Sequence, residues 1–276
     1  VATLPTDGYA ILNHDDPTVF DMRKKTQATV MTHGADKDAD VKITNYKLQT
    51  SKDEKLGDVP DGINFKMEYE GDVVPFRIHN VFGLPHVYAI SAATAVGLVL
   101  NMNLVEISQA IEGYIPPPGR LRLLKGIKNS LILDDTYNAA PESMRAALDT
   151  LHALPGQRKI AIFGDMLEIG KYSEQAHRAM GDQAAGFIDL LFCIGPRAKF
   201  IADEAVNRNL NPAHIFRYEN SESAGRALNP LIKEGDLILV KGSQALRMEK
   251  VVEEIMAHPE ESPKLLVRQD DYWKNK

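Results

Sequence analysis

Three consecutive prolines, Pro116-Pro117-Pro118, followed by Gly119, limit what this chain can fold into more than any other stretch. Proline lacks a backbone N–H and fixes φ, so neither a helix nor an inner strand runs through them. The segment reads as a stiff linker, and the sequence changes character across it. Beyond it, short apolar runs alternate with helical periodicity. Strands are expected near 121–124, 130–134, 159–163, 189–194, 214–218 and 236–240, and helices near 141–153, 173–186, 197–208, 221–232 and 245–257. That alternation implies βαβ units and a largely parallel, doubly wound, Rossmann-like sheet.

Before the linker the pattern is mixed. A strand is expected at 9–12, then a helix over 19–25, capped by Asp15 or Asp16 with Pro17 in its first turn. A second strand is expected at 28–31. Two-residue alternation (Val41/Ile43, Ile63/Phe65/Met67/Tyr69, Val73/Phe76/Ile78) predicts antiparallel strands, with a hairpin turn at Gly71-Asp72. The polar residues 50–60 are expected as a loop, and helical spacing covers 87–100 and 104–113. The fold class is therefore α/β: a mixed sheet with helices over 1–118, a doubly wound domain over 119–258 and a tail over 259–276. The tail's apolar residues, Leu265 to Val267 and Trp273, are expected to dock on the body or on a partner.

Composition removes several function classes. Charges of both signs are interspersed with a net charge of −6, so no basic surface argues for nucleic acid or anionic membrane as a partner. A single cysteine, Cys193, sits in an apolar run and cannot form an internal disulfide, which fits a reducing compartment and an inert thiol. No apolar run approaches the roughly 18 residues of a membrane span. The opening Val1-Ala2-Thr3-Leu4 has no signal-peptide pattern and no initiator Met, so the chain is read as a piece of a longer cytoplasmic protein.

Polar clusters follow three of the expected strands, at the edge where ligands collect in open α/β sheets. Leu131-Ile132-Leu133 runs into Asp134, Asp135, Thr136, Tyr137 and Asn138. Adjacent carboxylates point to opposite faces of a strand. At most one therefore caps the next helix, leaving the other for a ribose hydroxyl, a metal or an amine. Gly164 to Gly170 follows the next strand, where Asp165 either caps that element or faces a ligand beside Glu168. His177 in the helix beyond is either a surface histidine or a site residue. Lys241-Gly242-Ser243 ends the last strand, as a cradle for a carboxylate or phosphate or as a serine cap beside an exposed lysine. Arg120 at the linker is either solvated or a planar contact for phosphate or ribose. The chain carries no G-x-x-x-x-G-K-[ST] loop, G-x-G-x-x-G fingerprint, G-x-S-x-G elbow or Cys/His metal spacing.

Taken in order, Pro118-Gly119-Arg120, Asp134 to Pro141, Gly164 to Gly170 with His177, and Leu239 to Ser243 with Met248-Glu249 resemble the carboxyl-terminal part of the Mur ligases. Leu4 to Pro17 is similar to the later half of that family's central ATP-binding domain. The resemblance implies an ATP-dependent amide ligase of peptidoglycan precursor synthesis, and most closely the branch that adds D-Ala-D-Ala to UDP-N-acetylmuramoyl-tripeptide through an acyl phosphate. It implies ATP and Mg²⁺ as cofactors and small-molecule substrates, with a monomer expected. Arg120 and Asp135, with Tyr137 and His86, are then the ATP-binding candidates. Asn138, Asp165, Glu168, His177, Lys241 and Ser243 are the substrate-binding candidates. The phosphate loop, magnesium ligands and main catalytic residues are expected upstream of Val1, so no metal ligand is assigned in this chain, which alone is expected to be inactive. Pro85, His86 and Ala89 stand where the family has His, Asn and Asn near adenine, and His86 is carried as the substitute. Two other readings stay open: a Mur-type ligase with another amine acceptor, and a non-catalytic binding module that kept the fold.

Overall fold

A computed structural model describes residues 1–274. They form two compact units, one made of residues 1–49 and 61–115, the other of 50–60 and the described residues from 116 onward.

The first unit holds β1 (Tyr9–Asn13), α1 (Pro17–Asp21), β2 (Thr29–Gly34), β3 (Val41–Asp53), β4 (Gly57–Tyr69), β5 (Asp72–His79), α2 (Leu84–Val99) and α3 (Leu104–Ile111). The strands lie in sequence order in one sheet, with β1, β2 and β3 parallel and β4 antiparallel to β5. Asp16 is the residue that caps α1, its carboxylate accepting from the Thr18 and Val19 N–H groups. Val41, Ile63, Phe65, Met67, Phe76 and Ile78 form the core of the sheet face, and the register partners Phe65 and Phe76 stack at 5.4 Å.

Two expectations for the strands of this sheet need correcting, the second on residues 50–60, which group with the other unit. The hairpin turn centres on Glu70-Gly71, both at positive φ as a tight two-residue turn requires, because Tyr69 pairs with Asp72. Residues 50–60 are mostly paired, not loop: β3 runs to Asp53 and β4 starts at Gly57. Most residues there are exposed, so no buried face imposes a hydrophobic period, and pairing held by backbone bonds leaves no such trace in sequence.

The second unit holds β6 (Arg122–Lys125), β7 (Leu131–Asp135), α4 (Pro141–Ala153), β8 (Arg158–Gly164), α5 (Ser173–Ala185), β9 (Leu190–Ile194), α6 (Lys199–Asn207), β10 (Ile215–Tyr218), α7 (Ser221–Leu228), β11 (Asp236–Lys241), α8 (Glu249–Ile255), α9 (Ser262–Leu265) and α10 (Asp271–Lys274). The sheet order is β10-β9-β8-β11-β7-β6, parallel except for the edge strand β6. Strands β7, β8, β9 and β11 are apolar runs because both of their faces are covered. Ile132, Ile160, Ile162, Phe192, Ile238 and Val240 pack against α7 and α8, and Leu133, Ala161, Phe163 and Leu191, which alternate with them, are equally buried. The α/β class with a doubly wound second sheet is borne out.

The placement of β11 matters most for chemistry. It enters between β7 and β8, so three polar strand ends become neighbours, with Lys241 in register with Asp135 on one side and Phe163 on the other. The helix expected over 245–257 starts only at Glu249, because Arg247 is left-handed (φ 52°) and ends a single 3₁₀ turn. That expected over 221–232 stops at Leu228, with Pro230 in the 3₁₀ turn that follows. The tail docks on the body of this unit: Leu265 and Leu266 join its core and the Ser262 hydroxyl donates to Glu253. Residues 275 and 276 of the expected tail lie outside the described residues. No described helix is long and apolar enough to cross a membrane.

Candidate functional site

At the ends of β7 and β11 the register becomes an ion pair. Register partners in a parallel sheet share a face, and Lys241 Nζ lies 2.6 Å from Asp135 Oδ2, with side chains only 2% and 8% exposed. The same ammonium donates to the Asn138 carbonyl at 2.9 Å, while Asp135 Oδ1 accepts from the Leu121 N–H at 3.2 Å. Two residues expected to serve different ligands are thus each other's partner, and together they fix the loops at 121 and 138.

Asp134 points to the other side and is fully buried. It caps no helix: the N-cap of α4 is Ala140, whose N–H is accepted by the Ser143 hydroxyl. Its carboxylate instead accepts from the Thr136 hydroxyl, the Thr136 N–H and the Gly119 N–H. Burial pushes its pKa up to about 6 despite these bonds, with the neighbouring Asp135 charge adding to the rise. Gly119 is at φ 68°, and a Cβ there would sit 2.8 Å from the Tyr137 nitrogen, so the linker passes this strand end only without a side chain.

Behind β8 the polar residues hold loops together. Asp165 Oδ1 accepts from the Arg197 and Ala198 N–H groups and so caps the approach to α6 instead of its own loop. Its carbonyl accepts from the Ser243 N–H, and the Ser243 hydroxyl accepts from the Leu167 N–H at 2.8 Å. His177 is buried, not at the surface. Its Nε2 accepts from the Met166 N–H and its Nδ1 donates to the Ser173 carbonyl, so the ring is neutral, and burial lowers its pKa. Glu168 takes a left-handed conformation (φ 65°) at the rim of a cavity of about 460 Å³, which Asn138, Ser243, Gln244, Arg247 and Trp273 also line.

Arg120 lies over the Tyr137 ring, guanidinium carbon to centroid 4.0 Å, giving a planar cation on an aromatic face. The Tyr137 loop is held from behind by the tail. Arg268 donates to the Thr136 and Tyr137 carbonyls and to Glu249, which also pairs with Arg247. Sequence reasoning missed Arg247 and Arg268, which lie off the strand ends; Glu249 appeared only as part of a motif and Trp273 only as a docking residue of the tail. His86 belongs to the first unit, buried in the first turn of α2 with Nδ1 3.4 Å from the Tyr114 hydroxyl.

His14, Asp15 and Asp36 of the first unit bring their ligand atoms together. Asp15 already accepts from the Ala35 and Asp36 N–H groups and the Tyr88 hydroxyl. Magnesium favours oxygen ligands in a near-ideal octahedron, so a histidine and a carboxylate committed elsewhere do not fit the Mg²⁺ that the resemblance implies.

A doubly wound domain with its polar groups at three adjacent strand ends matches a known pattern over residues 119–244, the family described as Mur ligase, glutamate ligase domain. Residues 119–244 therefore carry the Mur ligase domain, and the chain over most of its length is similar to members of that family. Within that family it is 29% identical over 224 residues to the UDP-N-acetylmuramoyl-tripeptide–D-alanyl-D-alanine ligase of Bacillus subtilis, covering 78% of this chain and 47% of the relative. It is 33% identical over 165 residues to the ligase of the same name from Escherichia coli, covering 58% and 34%. The solved structure of MurF from Acinetobacter baumannii superposes with a TM-score of 0.75 at 27% identity, over 90% of this chain and 52% of that one. The chain spans about half the length of the curated relatives it matches over most of its own length.

Proposed function

We propose that this chain is the distal part of a ligase that uses ATP to join D-Ala-D-Ala to UDP-N-acetylmuramoyl-tripeptide. The observation that carries the reading is convergence: Asn138, Glu168 and Ser243, from three separate strand ends, line one cavity inside a domain whose relatives bear that activity in their names. In the whole protein the γ-phosphoryl group of ATP passes to the tripeptide carboxylate, releasing ADP. The dipeptide amine then attacks the acyl carbon, and phosphate leaves as the amide forms. Such chemistry depends on positioning and on neutralising phosphoryl charge.

In this reading Arg120 and Tyr137 offer the nucleotide a stacked cationic face. Asp135 and Lys241 act as a fixed pair that sets the Asn138 loop. Asp165 and His177 hold the Met166–Glu168 loop so that Glu168 and Ser243 face the dipeptide. The same reading makes the protein a cytoplasmic monomer with small-molecule substrates. Phosphate release by the full-length protein tests it, and is expected only when ATP, Mg²⁺, the UDP-tripeptide and D-Ala-D-Ala are all present. Release indifferent to the dipeptide refutes the proposal, and exchanging the amine separates it from a ligase with another acceptor.

A further inference from the structure

One charged cluster bordering the cavity at the strand ends is not neutralised internally, and it lies outside the strand-end clusters. Glu249, 1% exposed, is shared by two guanidinium groups: Arg247 Nε donates to its Oε1 at 2.6 Å, and Arg268 Nε and Nη2 donate to its Oε2 at 3.0 and 2.6 Å. One carboxylate against two guanidiniums leaves a net positive charge. Arg268 also donates to the Thr136 and Tyr137 carbonyls and is nearly buried. Arg247 is 16% exposed and lines the cavity. Its Nη1 donates to the Trp273 carbonyl at 2.7 Å, and its guanidinium carbon lies 5.4 Å from the Trp273 ring centroid. Among the described residues nothing accepts from Nη2.

A guanidinium held on two sides, with a free edge facing a cavity, has little rotamer freedom left to lose on binding an anion. Glu168 lines the same cavity and supplies an opposite charge for an ammonium group. From this geometry we infer that Arg247, braced by Glu249 and walled by Trp273 of the tail, binds the terminal carboxylate of the amine acceptor. The acceptor class is then an amino acid or short peptide with a free carboxyl end. The inference deepens the ligase reading and rests on it for the identity of the acceptor.

The test uses the full-length protein and compares D-Ala-D-Ala with its C-terminal amide, both by direct calorimetric binding in the presence of a non-hydrolysable ATP analogue and the UDP-tripeptide, and by kcat/KM. Loss of a charge-assisted hydrogen-bonded contact is expected to disfavour the amide by about 30-fold or more. In Arg247→Gln the acid and amide become equivalent, while KM for ATP stays unchanged. Arg247→Lys restores part of the preference, and Trp273→Ala raises the dipeptide KM without abolishing it. A merely structural role lowers activity on acid and amide alike and leaves their ratio at the wild-type value, which overturns the inference. So does a wild-type protein that binds acid and amide equally, or neither. Binding with acid preference but no dipeptide-dependent phosphate release leaves the inference standing and refutes the ligase reading; the reverse result does the opposite.

Discussion

Replacing Lys241 with methionine keeps most of the side chain's volume and deletes its ammonium group. In the folded chain that group is 2% exposed, 2.6 Å from Asp135 Oδ2 and 2.9 Å from the Asn138 carbonyl. Its loss leaves a carboxylate that is 8% exposed with, among the described residues, only the Leu121 N–H at 3.2 Å, and it takes the donor from the Asn138 carbonyl. Breaking a buried pair from one side costs about 3–5 kcal/mol, mostly through the charge left behind. Lys241→Met and Asp135→Asn are therefore each expected to destabilise the second unit by about 4 kcal/mol. The double variant leaves neither charge, so its cost should stay near that of one single variant instead of doubling, a coupling of about 3 kcal/mol. Urea unfolding followed by the fluorescence of Trp273, the chain's one tryptophan, reads this directly, with an unchanged m-value as the control. Costs that add within about 0.5 kcal/mol, or single variants costing under about 1 kcal/mol, would refute the claim that the pair is desolvated and mutually dependent.

Further outcomes follow from the same strand ends. Asp134 has a folded pKa near 6, above its ordinary 3.8, so its contribution is fully present below pH 3.8 and is lost as pH rises through 6. The stability advantage of wild type over Asp134→Asn should therefore shrink by up to about 3 kcal/mol between pH 4 and 7, measured by denaturant unfolding at each pH. His177 works in the opposite sense: its folded pKa lies below 6.5, so stability present above that value is lost as pH falls through the folded pKa. His177→Phe should remove that acid sensitivity and orphan the Met166 N–H at a cost of about 1–3 kcal/mol, visible as faster hydrogen exchange of that amide. Gly119→Ala meets both a positive φ and the Tyr137 nitrogen, and should lower stability by about 1–3 kcal/mol in the same unfolding assay.

The second sheet was legible in the sequence because its inner strands are buried on both faces. Runs such as Leu131-Ile132-Leu133 and Leu237-Ile238-Leu239-Val240 have few alternatives to being central strands. The location of the polar clusters was legible for the same reason. The paired ribbon at 50–60 was not, since exposed strands carry no hydrophobic period. Nor was strand order, which follows from three-dimensional crossovers, and it is the order that seats Lys241 beside Asp135 across 106 residues of sequence. The break at Arg247 was hidden because a left-handed arginine has no propensity signature, and its partners at Glu249 and Trp273 become visible only once the tail has docked.

Strand-end polarity is an ambiguous signal for a physical reason. Loops that leave a buried sheet carry backbone N–H and C=O groups with no ladder partner, and these must be satisfied. Asp134, Asp165, Ser243 and His177 all direct hydrogen bonds to such groups, and Lys241 divides its bonds between Asp135 and a loop carbonyl. These side chains act first as part of the frame. The capacity for a charged ligand then depends on what remains after internal pairing. Asp135 and Lys241 cancel, whereas Glu249 cancels only one of its two arginines. The surplus emerges at Arg247, on the wall of the cavity that Asn138 and Glu168 share. A dipeptide zwitterion complements that distribution of charge, and an acceptor lacking a carboxylate does not.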